Sequence, residues 1–200
     1  MAKAGYFIAF EGIDGSGKST QVSLLASRLR DRDIQCAALA EPSDGAYGLE
    51  IRKMLSGGNP PGALRQMELF MLDRADDAEK NIAPALAAGK TVIIDRYYFS
   101  NAAYQGAMGL DYAFILEENR KRAFPEPDKV FLIDLSPDTA IERIAGRANG
   151  ARDIFEKKEF LAKVRDIFFK VLDGRFVVID GNQAAGKIHQ DILKNLDFAL

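Results

Sequence analysis

A three-layer α/β fold built on a parallel sheet of five strands is predicted by three observations. Short apolar runs alternate with amphipathic stretches along the whole chain. Four of the runs lack in-out alternation, as strands do when helices cover both faces of a parallel sheet. The chain has 200 residues, and no repeat, low-complexity tract or linker divides it. Residues 1–200 are therefore expected to form a single domain, and a chain of this size buries roughly 70% of its unfolded surface without disulfides or metal.

Taken in order, Tyr6 to Glu11 (YFIAFE) reads as a buried strand. Val22, Leu25, Ala26 and Leu29 recur at i, i+3, i+4 and i+7, so Ser19 to Arg32 reads as an amphipathic helix. Gln35 to Ala40 is a second strand, and Glu41-Pro42 opens a loop. Leu49 to Leu55 is helical, ended by the breaker Gly57-Gly58-Asn59-Pro60-Pro61. Leu64 to Ala88 is a long helix bent near Pro84. Thr91 to Asp95 (TVIID) is the third strand, followed by helices over Ser100 to Ala107 and Tyr112 to Ala123. Lys129 to Asp134 (KVFLID) is the fourth strand. Its helix, Pro137 to Ile144, carries proline in the first turn. Gly146 to Asp153 is polar and expected to be mobile. Glu156 to Leu172 is helical, Phe176 to Asp180 (FVVID) is the fifth strand, and Ala184 to Leu196 is the last helix.

Composition narrows the function. Lys plus Arg number 27 and Asp plus Glu 29, for a net charge of −2, which argues against binding nucleic acid by bulk charge. The single cysteine, Cys36, cannot close an intrachain disulfide, and one cysteine with one histidine, His189, cannot build the usual zinc site. No run approaches the ~18 apolar residues of a membrane span. Met1 to Gly5 leads into the first strand without a signal-peptide apolar region. The expected location is the cytoplasm, with no membrane or nucleic-acid partner.

The strongest motif is Gly12-Ile13-Asp14-Gly15-Ser16-Gly17-Lys18-Ser19, which fills every fixed position of G-x-x-x-x-G-K-[ST] between a strand and a helix. Its glycines let backbone N–H groups turn inward around phosphate oxygens, and the following helix N-terminus adds a positive dipole end. In this arrangement Lys18 reaches the β- and γ-phosphates, the Ser19 hydroxyl is a ligand for Mg²⁺, and Thr20 completes the ATP-binding run. No guanine-reading N-K-x-D follows, and a short chain with this loop at its start points to a small-molecule kinase. Asp95-Arg96-Tyr97-Tyr98 follows the third strand at the sheet edge where α/β ligands bind. There Asp95 would hold the metal or its water, and Arg96 would fork onto a phosphate.

With these residues in view, FEGIDGSGKST, Glu41-Pro42, LFMLDRADD at 69–77, DRYYFSNAAYQGAMGLD at 95–111 and PEPDKVFLIDLSPDTAIERI at 125–144 resemble thymidylate kinase, in the family's order and spacing. The resemblance implies the P-loop nucleoside monophosphate kinase fold with a short lid at about 145–157. It implies transfer of the γ-phosphoryl of ATP to dTMP, giving dTDP and ADP, with Mg²⁺, in a homodimer. Phe70 matches the ring that stacks on thymine. Arg74, four residues on, would reach the base edge, as would Asn101 and Gln105. Tyr104 matches the ring that crowds the sugar 2′ position, Asp14 a carboxylate near the acceptor sugar and phosphate, and Arg96 the arginine gripping the acceptor phosphate. Glu41 and Pro42 would border the acceptor site. Where some members carry an arginine in the phosphate loop, this chain has Gly15 and Ser16, so the lid would supply it through Arg147 or Arg152.

The chain departs from the family pattern twice. Ala40 and Ser43 flank Glu41-Pro42 where many members have an arginine, so Arg52 is the remaining candidate for that acceptor contact. The lid motif D-R-F-E reads Asp153-Ile154-Phe155-Glu156. The alternatives left open are a kinase for another (deoxy)nucleoside monophosphate and a P-loop protein that binds nucleotide without turnover.

Overall fold

A computed structural model describes residues 5–58, 60–145 and 152–196, with the side chains of 152–156 left undescribed. Five parallel strands form one sheet: β1 Phe7–Glu11, β2 Cys36–Ala40, β3 Thr91–Asp95, β4 Lys129–Asp134 and β5 Phe176–Asp180. Their order across the sheet is β2-β3-β1-β4-β5. The helices are α1 Lys18–Arg30, α2 Ala46–Ser56, α3 Ala63–Asp77, α4 Ala83–Ala87, α5 Tyr98–Ala107, α6 Tyr112–Lys121, α7 Pro137–Ala145, α8 Arg152–Lys170 and α9 Ala185–Lys194. The predicted fold class and all five strands are observed.

The three layers follow from alternation within the strands. Ile8, Phe10, Ile93, Phe131 and Ile133 point to one face and meet Val22, Leu25 and Leu29 of α1 and Ile188 and Ile192 of α9. Phe7, Ala9, Val92, Ile94, Val130 and Leu132 point to the other and meet α5, α7 and α8. A strand buried on both faces has no polar side to show, which is why β1, β3 and β4 read as unbroken apolar runs. The edge strands β2 and β5 are only partly covered.

The predicted helix from 64 to 88 is three pieces. After α3, residues Ala78–Ile82 take the wider π-type turn, and α4 begins at Ala83. The departure precedes Pro84 instead of centring on it. Pro84 offers no N–H to the carbonyl four residues back and its ring crowds that carbonyl, so the preceding turn widens to relieve both. Predicted helix ends elsewhere differ by a few residues: α2 starts at Ala46, α5 at Tyr98, α6 ends at Lys121 and α8 starts at Arg152. Among the described residues no helix is long and apolar enough to cross a membrane.

The topology places the site. β1 lies between β3 and β4, with Phe10 paired to Asp95 and to Phe131. The β1–α1 loop and the β3–α5 turn therefore emerge side by side at the C-terminal edge of the sheet, where ligands collect in open α/β folds.

Candidate active site

The 12–19 loop joins β1 to α1 as the sequence predicts. Gly12 has φ 140°, and a Cβ there would stand 2.5 Å from the Ile133 carbonyl oxygen. Gly17 has φ 98° and caps α1 without a side-chain bond, so the first helical amides face outward for an anion. Ile13 and Ser16 are buried beneath the loop, while Ser19 and Thr20 are exposed at its mouth. Lys18 folds back, donating to the carbonyls of Gly12 at 3.1 Å and Ile13 at 3.0 Å. Burial, with Arg96 adding, pulls its ammonium down to about 8, while Asp95, Asp14 and Glu11 oppose the fall.

The two residues assigned to the metal meet. The Ser19 hydroxyl donates to Asp95 Oδ2, and the buried Asp95 Oδ1 has no hydrogen-bond partner among the described residues. One hydroxyl and one carboxylate with a spare oxygen suit Mg²⁺, a hard cation that keeps water and phosphate as its other ligands. No group of three or more His, Cys, Asp or Glu able to hold a metal occurs among the described residues.

Arg96 sits at the centre. Its φ of 69° is left-handed, a conformation that costs a non-glycine residue roughly 1–3 kcal/mol and marks functional sites. The chain around it is pinned. Arg96 N–H donates to the Phe10 carbonyl at 2.9 Å, and Tyr97 N–H and Ser100 N–H donate to buried Glu11 Oε1 at 2.9 and 3.2 Å. The guanidinium donates to Gly12 O at 3.1 Å, Ser100 Oγ at 2.9 Å, Asp14 Oδ1 at 2.7 Å and Tyr104 Oη at 3.0 Å. Burial pushes the Asp14 carboxyl up, but Arg96 and Lys18 outweigh it and hold the group below its usual range.

Two hollows open on either side of this arginine. The first, about 630 Å³, is lined by Phe70, Arg74, Asn101, Tyr104, Gln105, Glu41 and Pro42 among others. Phe70 is half-buried and lies outside the core clusters, so its ring faces the hollow. Arg74 is 1% exposed and largely committed: Nε and Nη2 donate to the Glu41 carboxylate and Nη1 to Asn119 Oδ1 at 2.7 Å. Its guanidinium rests 5.2 Å from the Tyr97 ring centroid. Asn101 Nδ2 donates to Gln105 Oε1 at 2.8 Å and Gln105 Nε2 to Gln66 Oε1 at 3.2 Å, leaving Asn101 Oδ1 buried and without a partner among the described residues. Arg52 lies outside the lining. It donates to the Pro42 carbonyl at 2.8 Å and pairs with Asp44 at 3.1 Å, so it props the loop after β2.

The second hollow, about 860 Å³, is walled by the 14–21 loop, Asp95, Arg143, Gln183, Ala184, Ala185 and Ile188. Arg143 donates to Gly15 O at 3.3 Å and Gly181 O at 3.0 Å, tying the phosphate loop to the β5–α9 turn. The sequence reading missed Arg143, Gln183, Gln66, Lys157 and Glu11. Only Glu11 had a signal there, a carboxylate closing an apolar run. The others become neighbours of the site through folding alone. Arg147 lies outside the described residues, and Arg152 is seen only as the backbone start of α8.

A family model described as "Thymidylate kinase" matches residues 10–192. The chain is 40% identical over 190 residues to a "Probable thymidylate kinase" of Archaeoglobus fulgidus, covering 95% of this chain and 94% of that one. It is 41% identical over 188 residues to a "Thymidylate kinase" of Leptospira interrogans, covering 94% and 92%. A "Thymidylate kinase" of Desulfotalea psychrophila is 39% identical over 189 residues, covering 94% and 93%. With a phosphate loop on one side of Arg96, an aromatic-lined hollow on the other and likeness along nearly its whole length, this chain belongs to the thymidylate kinase family.

Proposed function

We propose that this protein transfers the γ-phosphoryl group of ATP to dTMP, giving dTDP and ADP. The observation that carries the reading is the pair of hollows meeting at Asp14 and Arg96, with the phosphate loop in one and Phe70 in the other. Phosphoryl transfer needs positioning and neutralised charge more than covalent help, and the acceptor phosphate is already a nucleophile. Lys18 and the loop amides hold the β- and γ-phosphates. Arg96, braced by Asp14, Ser100 and Tyr104, orients the acceptor phosphate. Phe70 stacks on thymine, worth ~1–3 kcal/mol by analogy with other base–aromatic stacks. Arg74, Asn101 and Gln105 meet the base edge with the capacity their internal bonds leave free, above all Asn101 Oδ1. Tyr104 crowds the sugar 2′ position.

Ser19 and Asp95 would hold Mg²⁺, directly or through water, and the ion would offset charge on the β- and γ-oxygens. We read residues 1–200 as one kinase unit, acting in the cytoplasm as a homodimer. An ADP-release assay over a panel of nucleoside monophosphates tests the reading. Turnover with dTMP far above dUMP, dCMP and dGMP is expected. Turnover confined to another acceptor, or ATP binding without acceptor-dependent turnover, would replace it. The 145–157 segment supplies the remaining arginine, so Arg147→Ala or Arg152→Ala should lower kcat about 100-fold with small change in KM. If neither variant loses kcat, the lid assignment is wrong.

A further inference from the structure

The donor and acceptor hollows share a short stretch of wall, and the residues common to both are Asp14, Arg96 and Lys157. Asp14 and Arg96 offset each other's charge across 2.7 Å. Lys157 has no ion-pair partner among the described residues, whereas Lys158 beside it pairs with Asp138.

Its place follows from α8. Three residues on, Phe160 lines the acceptor hollow and sets its ring edge-on to Tyr104, with centroids 6.1 Å apart. Tyr104 lies 4.8 Å beneath the Arg96 guanidinium. Residues three apart share a helix face, so Lys157 stands one turn before Phe160 on the face that looks over Arg96. The adjacent Lys158 is turned to α7, where it pairs with Asp138. One lysine anchors the helix start and its neighbour faces the junction.

We propose that Lys157 is a catalytic residue whose ammonium contacts the phosphoryl group as it passes from donor to acceptor. This rests on the kinase reading above. In the transfer, an oxygen of the acceptor phosphate forms a bond to the γ-phosphorus while the bond from that phosphorus to the β–γ bridging oxygen breaks. ADP departs with the electron pair, and no proton need move. Between the two phosphates the shared wall supplies a neutral Asp14–Arg96 pair and one further positive charge. A lysine ammonium is a compact point charge with three donors, suited to a group whose oxygens shift during reaction.

The test compares wild type with Lys157→Ala, Lys157→Arg and the neighbouring control Lys158→Ala. Two readouts are used: steady-state kinetics, and binding of a pentaphosphate joining adenosine to thymidine. Lys157→Ala should lower kcat at least ~30-fold with KM for ATP and dTMP each within about threefold, a loss of transition-state contact alone. It should weaken the pentaphosphate about tenfold and leave ATP and dTMP affinities near wild type. Lys157→Arg should recover most of both, and Lys158→Ala should leave both near wild type. Lys157→Ala within about twofold of wild type in kcat and pentaphosphate affinity would overturn the proposal. Absence of wild-type turnover on every monophosphate would instead sink the kinase reading, while the pentaphosphate comparison still decides Lys157.

Discussion

Arg74 and Glu41 face each other with side chains 1% and 2% exposed. Two opposite charges taken out of water gain little net stability as a pair, yet losing one strands the other. Arg74→Ala should therefore destabilise the fold by ~3–5 kcal/mol in urea unfolding. Arg74→Ala with Glu41→Gln should lose less than the single change. A single-variant loss under about 1 kcal/mol would mean that Glu41, whose carboxyl burial pushes up to about 8 against the charge of Arg74, is left uncharged by taking a proton. Glu11 is the second buried acid. Burial pushes its carboxyl up to about 7, against its bond from Ser100 and the charge of Arg96. The native state then keeps a proton that the unfolded chain releases from about 4.5 upward. Its contribution is fullest below that value and falls as pH climbs to about 7. Glu11→Gln does not titrate, so its stability relative to wild type should rise across this window by up to ~3 kcal/mol. Urea unfolding at both ends of the window checks this, and an unchanging difference would show Glu11 ionised throughout.

The loop after β2 is held from two directions. Asp73 of α3 accepts from Ser43 N–H at 2.8 Å and Ser43 Oγ at 2.6 Å. On the other side α2 presses Gly48 against the same residue, and a Cβ there would stand 1.9 Å from the Ser43 carbonyl oxygen. The loop cannot yield, because Asp73 is 1% exposed and packed in place. Gly48→Ala should push α2 outward and destabilise by roughly 1–3 kcal/mol, the usual range for overpacking. Because Glu41 and Pro42 border the acceptor hollow, KM for dTMP should rise more than KM for ATP. Equal changes in the two constants would show that α2 does not shape the acceptor side. The glycine was visible in the sequence, but not its reason: the contact joins a helix to a loop, and no helical periodicity reports it.

At the scale of the molecule, the two hollows beside Arg96 have Asp14, Arg96 and Lys157 in common among the described residues. Two ligands are then expected to bind together and each to stabilise the native state by mass action, by ~2.7 kcal/mol at 100 times its Kd. A non-hydrolysable ATP analogue and dTMP should each raise Tm, with the two together above either alone. Displacement of one by the other in equilibrium dialysis would show a single overlapping site. Sedimentation at micromolar concentration tests the homodimer.

The sequence by itself determined the alternation of strands and helices and the phosphate loop, and it singled out Ser19 and Asp95 as metal candidates, though not that the two meet. These follow from local physics: short apolar runs, amphipathic spacing, glycines where the chain must turn tightly. It also brought Arg96 to notice through its place after the third strand, and Phe70 and Tyr104 through the family resemblance. Only the tertiary structure decided which strands are neighbours, and so which loops face one another. It decided that Arg74 is tied to Glu41 and Asn119, that Arg52 props a loop, and that Arg143 and Lys157 border the nucleotide hollows. The Arg74 contacts join residues 33 and 45 apart in the chain, whereas Arg52 reaches back only ten. Their cause is the packing of helices on a sheet whose strand order, β2-β3-β1-β4-β5, no local pattern encodes.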